Sequence, residues 1–290
     1  MISVPIATHI KYFEWQVDLF WYCHKKLYKE EAYKKALVTV CKRNFYWEEK
    51  KNKLLWNTDV PHIMTESFVD FVHAKVNHKD FKGFTEYLPI NIQYSLLQAI
   101  EKFKDDDIIE LLDADMFHFR PCPNFSPEYD QIIVADIYED WYLKTKSTNK
   151  IVLSKYLKDL EKYYNGGFVP IIARTKTFKK ILNDWIRIHI DILHRNFVDN
   201  RIHWWAGMYS LQAACALNKI TMIGLDCVYV PSVNSIQNAH YIAHYSGADL
   251  FPKRQFNKVD PYLFERNTAF DLIKEWLPRW KKQQVDRETK

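Results

Sequence analysis

Apolar residues along this chain fall into short runs and helical stripes that alternate in a regular order. Residues 2–8 read as a buried strand, residues 12–27 as an amphipathic helical segment and residues 36–41 (Ala-Leu-Val-Thr-Val-Cys) as a second strand. Strand, segment, strand is how an α/β domain with a parallel sheet opens. Residues 47–82 are polar and mixed, with a short strand expected near Ile63 and a helix over 68–76. Pro89 starts a clearer helix, because proline suits a first turn and Ile92, Leu96, Leu97, Ile100 and Phe103 recur at helical spacing. Residues 131–135 (Gln-Ile-Ile-Val-Ala) form another buried strand, followed by a charged helix over 154–164 and an Asn-Gly-Gly turn into a strand over 168–172. Phe178, Ile181, Leu182, Trp185, Ile188 and Ile192 mark a long helix, and residues 204–217 a second one. Late strands are expected at 221–225 and 227–230, and a loop-like aromatic segment at 240–247. Leu272, Ile273, Trp276, Leu277 and Trp280 define a terminal amphipathic helix with Pro278 near its end and frayed residues from Gln283 onwards. The pattern predicts one mostly parallel sheet flanked by helices, over residues 1–259, with a C-terminal helical appendage over 260–290.

Within this pattern the run Ile108-Ile109-Glu110-Leu111-Leu112 ends abruptly in Asp113-Ala114-Asp115. A buried parallel strand delivers groups to the carboxyl edge of its sheet, where ligands bind in α/β folds. Alternation along an extended chain would point Asp113 and Asp115 to the same side. Two carboxylates so close repel each other unless a cation sits beside them, and hard oxygen ligands suit Mg²⁺ or Mn²⁺. Asp105 with Asp107 and Glu128 with Asp130 share the same spacing, so the preceding apolar run singles out the pair at 113 and 115.

Composition narrows the function classes. With 290 residues, 48% hydrophobic, the chain can bury a substantial core. The formal charge of +5 is mild and spread along the sequence, which argues against a nucleic-acid partner. Ten Trp, 18 Tyr and 18 Phe serve packing or stacking on rings, and the count alone does not choose. Cys23, Cys41, Cys122, Cys215 and Cys227 show no zinc spacing and read as free thiols in a reducing compartment. No signal-like N-terminus and no transmembrane-length apolar window appear, so a soluble cytoplasmic protein is expected.

The order of features resembles the GT-A class of nucleotide-sugar glycosyltransferases over about residues 85–255. Asp113-Ala114-Asp115-Met116-Phe117-His118-Phe119-Arg120-Pro121, Trp204-Trp205-Ala206-Gly207-Met208-Tyr209 and His244-Tyr245-Ser246-Gly247 look like plant and algal hydroxyproline arabinosyltransferases and peptidyl-serine galactosyltransferases. They also resemble small glycosyltransferases encoded by large algal viruses, which extends the expectation to a virus-encoded enzyme of the host cytoplasm. The resembling enzymes usually place an acid just before the Met-Tyr pair; here that position is Gly207, so the role of that acid does not transfer.

The resemblance implies a metal-dependent transfer of a sugar from a UDP-sugar to a hydroxyl on a glycan or peptide, with a pentose such as xylose or arabinose favoured, or galactose. Asp115 would ligate the metal directly, Asp113 would touch the ribose or the metal's water, and His244 would be the third protein ligand. One nitrogen among oxygens favours Mn²⁺, with Mg²⁺ also suitable. Gly166 and Gly167 would let the backbone approach the donor sugar, although the pair by itself reads first as a plain tight turn. Lys253 and Arg254 are candidates for the diphosphate, and one of Trp204 and Trp205 for stacking on a sugar. An inverting enzyme needs a carboxylate base, for which Asp199 ranks first, then Asp136 and Asp140; a retaining enzyme needs none. A sugar nucleotidyltransferase would require a glycine- and lysine-rich loop after the first strand, which is missing near residues 8–12. A non-catalytic carbohydrate binder would need only the aromatic surplus.

Overall fold

The protein is described by a computed structural model, which covers residues 1–9, 11–42, 58–66, 90–136, 152–156, 168–195, 205–230, 236–244 and 268–288. In chain order the elements are β1 (Ile2–Thr8), α1 (Lys11–Tyr28), α2 (Ala32–Lys35), β2 (Val38–Cys41), β3 (His62–Thr65), α3 (Asn91–Ala99), β4 (Ile108–Asp113), β5 (Met116–His118) and β6 (Gln131–Ala135). They continue with β7 (Phe168–Arg174), α4 (Thr175–Leu193), α5 (Ala206–Leu217), β8 (Thr221–Leu225), β9 (Val228–Tyr229), β10 (Ile242–His244) and α6 (Thr268–Glu288).

Seven strands form the main sheet in the order β3-β2-β1-β4-β7-β6-β8. Every neighbouring pair is parallel except the two made by β7, which runs against both β4 and β6. The carboxyl ends of the parallel strands and the start of β7 therefore share one edge. Central strands covered on both faces favour apolar residues, and β1, β4 and β6 are mostly apolar, with Ser3, Thr8 and Glu110 as buried polar exceptions. Pro5 has no N–H to give the sheet, and the pairing of β1 with the β2 side is broken beside it: the two segments touch at the bridge Ser3↔Ala36 and pair regularly only from Ile6↔Thr39.

The strand, helix and parallel-sheet expectations hold for most of the described chain. Three local readings change. The segment around 240–247 is not all loop, because Ile242–His244 forms β10, bonded to β5 antiparallel and to β9 parallel in a separate three-stranded sheet. The terminal helix does not fray at Gln283 but runs from Thr268 to Glu288, through Pro278, whose ring stands on the exposed face. That helix is anchored on α1: Trp276 Nε1 donates to Asp18 Oδ1 at 2.7 Å, Glu275 pairs with Lys26, and Arg279 lies over the Tyr22 ring. Of the charged helix expected over 154–164 only Ser154 to Tyr156 are described, as turn residues; the remainder lies outside the described residues. The pleat argument for Asp113 and Asp115 also gives way, since β4 stops at Asp113 and Ala114 and Asp115 form a turn. The helix expected over 68–76 lies outside the described residues.

The aromatic surplus among the described residues is mainly core. Trp15, Trp21, Trp185, Trp276 and Trp280 are buried, with Tyr209, Tyr241, Phe20, Phe117, Phe119 and Phe178. No helix among the described residues is long and apolar enough to cross a membrane.

Two buried histidines make the fold acid-sensitive. Burial, then the neighbouring His118, pushes His24 down to about 3, and burial pushes His189 down to about 3. The unfolded chain takes up both protons near pH 6.5, so it binds more protons than the folded chain below that pH, and stability falls as pH drops. Each contributes a loss of about 1.4 kcal/mol per pH unit from about 6.5 down to its folded value. His24 Nδ1 and Nε2 also have no hydrogen-bond partner among the described residues, within a ring cluster of Phe20, Tyr28 and His118. We expect His24→Phe to hold or raise stability at pH 7.5, by up to about 1–3 kcal/mol, and to make the fall in melting temperature towards pH 5.5 shallower. Thermal melts of both proteins at the two pH values check this; an unchanged slope would count against it.

Candidate functional site

The site lies where β4 leaves the main sheet. Ser3 to Ile6 on β1 pair with Glu110 to Asp113 on β4, which fixes Asp113 at the carboxyl edge. The turn at Ala114 and Asp115 then swings the chain into β5, so Asp115 is aimed by the turn and Asp113 by the strand. β5 pairs antiparallel with β10 in the register Met116↔His244, Phe117↔Ala243, His118↔Ile242. That ladder brings His244 to the acidic couple. His244 Nε2 lies 3.3 Å from Asp115 Oδ1 and 3.8 Å from Asp113 Oδ2. The three side chains are 7%, 11% and 29% exposed for His244, Asp115 and Asp113, a shielded floor with an opening on the Asp113 side.

One donor atom from each residue lies within 4.8 Å of the others, a spacing that can hold a metal ion. Neighbouring ligands of a small divalent ion with bonds of about 2.1 Å lie about 3 Å apart, so the set needs only a small contraction. Two carboxylate oxygens and one imidazole nitrogen suit Mn²⁺ and also Mg²⁺. His244 Nδ1 is buried without a hydrogen-bond partner among the described residues. A proton on Nδ1 leaves the Nε2 lone pair facing the carboxylates, the tautomer a metal needs.

The remaining candidates divide by position. Asp136 follows β6 at the same edge, two strands from Asp113 and hence about 10 Å away at ordinary strand spacing. Its backbone N–H donates to Leu225, and its carboxylate lies against Gly224, where a Cβ would come within 2.8 Å of Oδ2. Trp205 is half-buried, packs against the core, and with its carbonyl accepts the N–H groups of Met208 and Tyr209 at the start of α5. Asp140, Asp199, Gly166, Gly167, Trp204, Lys253 and Arg254 lie outside the described residues. Phe168 opens β7 at the edge of the sheet that carries Asp113 and Asp136.

Sequence reasoning passed over the residues that brace the site. Glu110, inside the apolar run of β4, is fully buried. It accepts hydrogen bonds from Ser3 Oγ at 2.7 Å, His118 Nε2 at 2.9 Å and Tyr241 Oη at 2.9 Å. Burial alone would raise its carboxyl, but the His118 imidazole and the three donors outweigh that and hold it below its ordinary value. Arg120 Nη1 donates to the carbonyls of Gln237, Asn238 and His240 at 2.9, 3.0 and 3.1 Å, gathering the loop before β10. His240 is itself held, through Nε2, by Asp226 at 2.9 Å. The available signal was Glu110 itself: a charge among Ile109, Leu111 and Leu112 requires partners.

The fold has counterparts among solved structures. The galactosyltransferase LgtC, solved with donor and acceptor sugar analogs, matches with a TM-score of 0.52 at 13% identity, over 89% of this chain and 94% of its own. A second structure of LgtC, an active-site mutant, gives 0.52 at 11% identity with the same coverage. The bifunctional glycosyltransferase WbbM matches at 0.51 with 9% identity, over 93% of this chain and 49% of its own. The fold is thus that of a GT-A glycosyltransferase. No curated protein sequence matches the chain. The N-terminal domain model of the hydroxyproline O-arabinosyltransferase family matches residues 4–223, and the chain belongs to that family. It is an enzyme that transfers a sugar.

Gly207, which stands where the resembling enzymes carry an acid, is buried in the first turn of α5. Trp185 Nε1 donates to its carbonyl at 2.8 Å, and a Cβ there would meet Gln93 Nε2 at 3.3 Å and His189 Cε1 and Phe168 Cζ at 3.5 Å. Alanine fits if the Gln93 amide gives slightly, whereas a carboxylate would be buried against a neutral imidazole. We expect Gly207→Ala to change stability by less than about 1 kcal/mol and Gly207→Glu to cost at least about 3 kcal/mol. Chemical denaturation of the two variants measures both; a well-tolerated glutamate would show that the acid can be restored here.

Proposed function

We propose that this enzyme is a metal-dependent glycosyltransferase that moves a sugar from a UDP-sugar to a hydroxyl on a glycan or peptide. The observation that supports it best is the convergence of Asp113, Asp115 and His244 at the sheet edge. Asp115 and His244 would hold Mn²⁺, or Mg²⁺, directly, and Asp113 would bind it through water or reach the ribose. A bound divalent ion neutralises the departing diphosphate without a proton transfer. The shielding of His244 and Asp115 strengthens every electrostatic contact made there.

A pentose, with arabinose first from the family's own name, is the favoured sugar, and galactose the alternative. Backbone at Gly166 and Gly167 approaches the donor sugar, Lys253 and Arg254 take the diphosphate, and Trp205 offers the partly open ring for stacking. For an inverting reaction the acceptor's base is one of Asp199, Asp136 and Asp140. Asp136 gains support from standing on the same edge as the acidic couple. A retaining reaction needs no such base, and the anomeric configuration of the product separates the two courses.

The test is a panel of UDP-sugars assayed for Mn²⁺-dependent hydrolysis and thermal stabilisation, alongside Asp115→Asn and His244→Ala. Groups that only support metal ligands are worth about 10–100-fold in affinity, so loss of a ligand should weaken Mn²⁺-dependent donor binding by at least about 100-fold. Both variants should stay folded. Wild-type donor binding in either variant would remove that residue from the metal shell, and binding that ignores Mn²⁺ altogether would sink the metal-dependent reading.

A further inference from the structure

Glu110, His118 and Cys122 form a second group whose donor atoms lie within 4.8 Å of one another, which at first suggests another metal site. The hydrogen bonding argues otherwise. Glu110 Oε2 already accepts from Ser3 and His118, and Oε1 from Tyr241 and, at 3.7 Å, from the Cys122 thiol. A carboxylate has about four acceptor positions, and these four donors fill them. The cluster is therefore a hydrogen-bonded hub, and what it joins is informative. Ser3 belongs to β1, Glu110 to β4, His118 to β5, and Tyr241 immediately precedes β10.

His244 needs such a hub. A metal-binding histidine is ordinarily oriented by a hydrogen bond from its second ring nitrogen, but His244 Nδ1 has none among the described residues. Its direction then depends on the backbone of β10, only three residues long. Four features pin that strand: the β5 ladder, the parallel pairing with β9, the Tyr241 carbonyl, which accepts from Phe119 and Arg120 N–H, and the Tyr241 hydroxyl on Glu110. The Tyr241 ring also stacks on His118, with centroids 5.8 Å apart.

We propose that Glu110 is a positioning residue: through Tyr241 and His118 it fixes the small sheet on the main sheet and so sets His244 against Asp113 and Asp115. This rests on the metal-site reading above. Glu110 touches neither metal nor substrate; it acts by holding the backbone that aims His244. Its two sides have different work. The Ser3 bond ties Glu110 to β1, within the main sheet, while the Tyr241 bond reaches across to β10.

The test is direct Mn²⁺ binding to the full chain, read from the electron paramagnetic resonance signal of free Mn²⁺, with a thermal melt for every variant. Tyr241→Phe and Glu110→Gln should weaken Mn²⁺ binding about 10–100-fold, as loss of an orienting group does. Ser3→Ala and the core control Ile188→Val should lower the melting temperature yet keep Mn²⁺ affinity within about twofold, because each removes stability without touching the aim of His244. If Glu110→Gln fails to fold, Tyr241→Phe decides alone. Unchanged Mn²⁺ affinity in Tyr241→Phe would overturn the proposal, as would equal weakening in Ser3→Ala or Ile188→Val, which would make the loss one of general stability. No Mn²⁺ binding by the wild type would remove the metal-site reading first, and the proposal with it.

Discussion

The antiparallel pairing of β5 with β10 is the constraint on which the site depends. Three residue pairs in that ladder place His244 opposite Met116, one step beyond Asp115, although the two lie far apart along the chain. A register slip of one residue would turn His244 away and present Ala243 in its place, since side chains alternate across a strand. So short a ladder cannot hold register by its own bonds alone. Around it stand Arg120 on three carbonyls, His240 on Asp226, and Tyr241 on the buried carboxylate of Glu110.

That bracing uses polar groups in places where apolar ones would pack at lower cost. Glu110 is buried in a central strand, and its charge is tolerated because donors from three other segments converge on it. A satisfied buried charge adds little net stability compared with a well-packed apolar residue, but it is intolerant of any arrangement that breaks its partners. The main sheet supplies the rigid side of this joint. The small sheet is the part that has to be told where to sit. Elsewhere the polar interior is less complete, as at His24, whose unpartnered nitrogens among rings are consistent with a position that packing alone selected.

The aromatic content has a similar double meaning. In a sugar-transferring enzyme, tryptophan invites a reading as a stacking platform, yet Trp21 and Trp276 give their N–H groups to Asp59 and Asp18 and fill the seam between α1 and α6. Trp185 likewise serves the packing of α4 on α5 through the Gly207 carbonyl. Among the described tryptophans only Trp205 keeps a partly open face.

The sequence by itself determined the α/β alternation, the strand that ends at Asp113 and the amphipathic helices, because these depend on local periodicity and on which residues tolerate burial. Motif order along the chain was enough to select the glycosyltransferase class, and with it His244 as a partner for the aspartates. Tertiary structure decided the rest. The aim of Asp115 comes from a turn that strand alternation could not foresee. The strand at 242–244 exists only because β5 and β9 offer it backbone bonds, so its aromatic local sequence read as a loop. Pro278 is accommodated inside a helix because packing on α1 outweighs one missing bond. Glu110 drew no notice in the chain because its partners, from residue 3 to residue 241, meet only on folding. A buried charge is explained by the groups around it in space, and sequence distance carries no information about those.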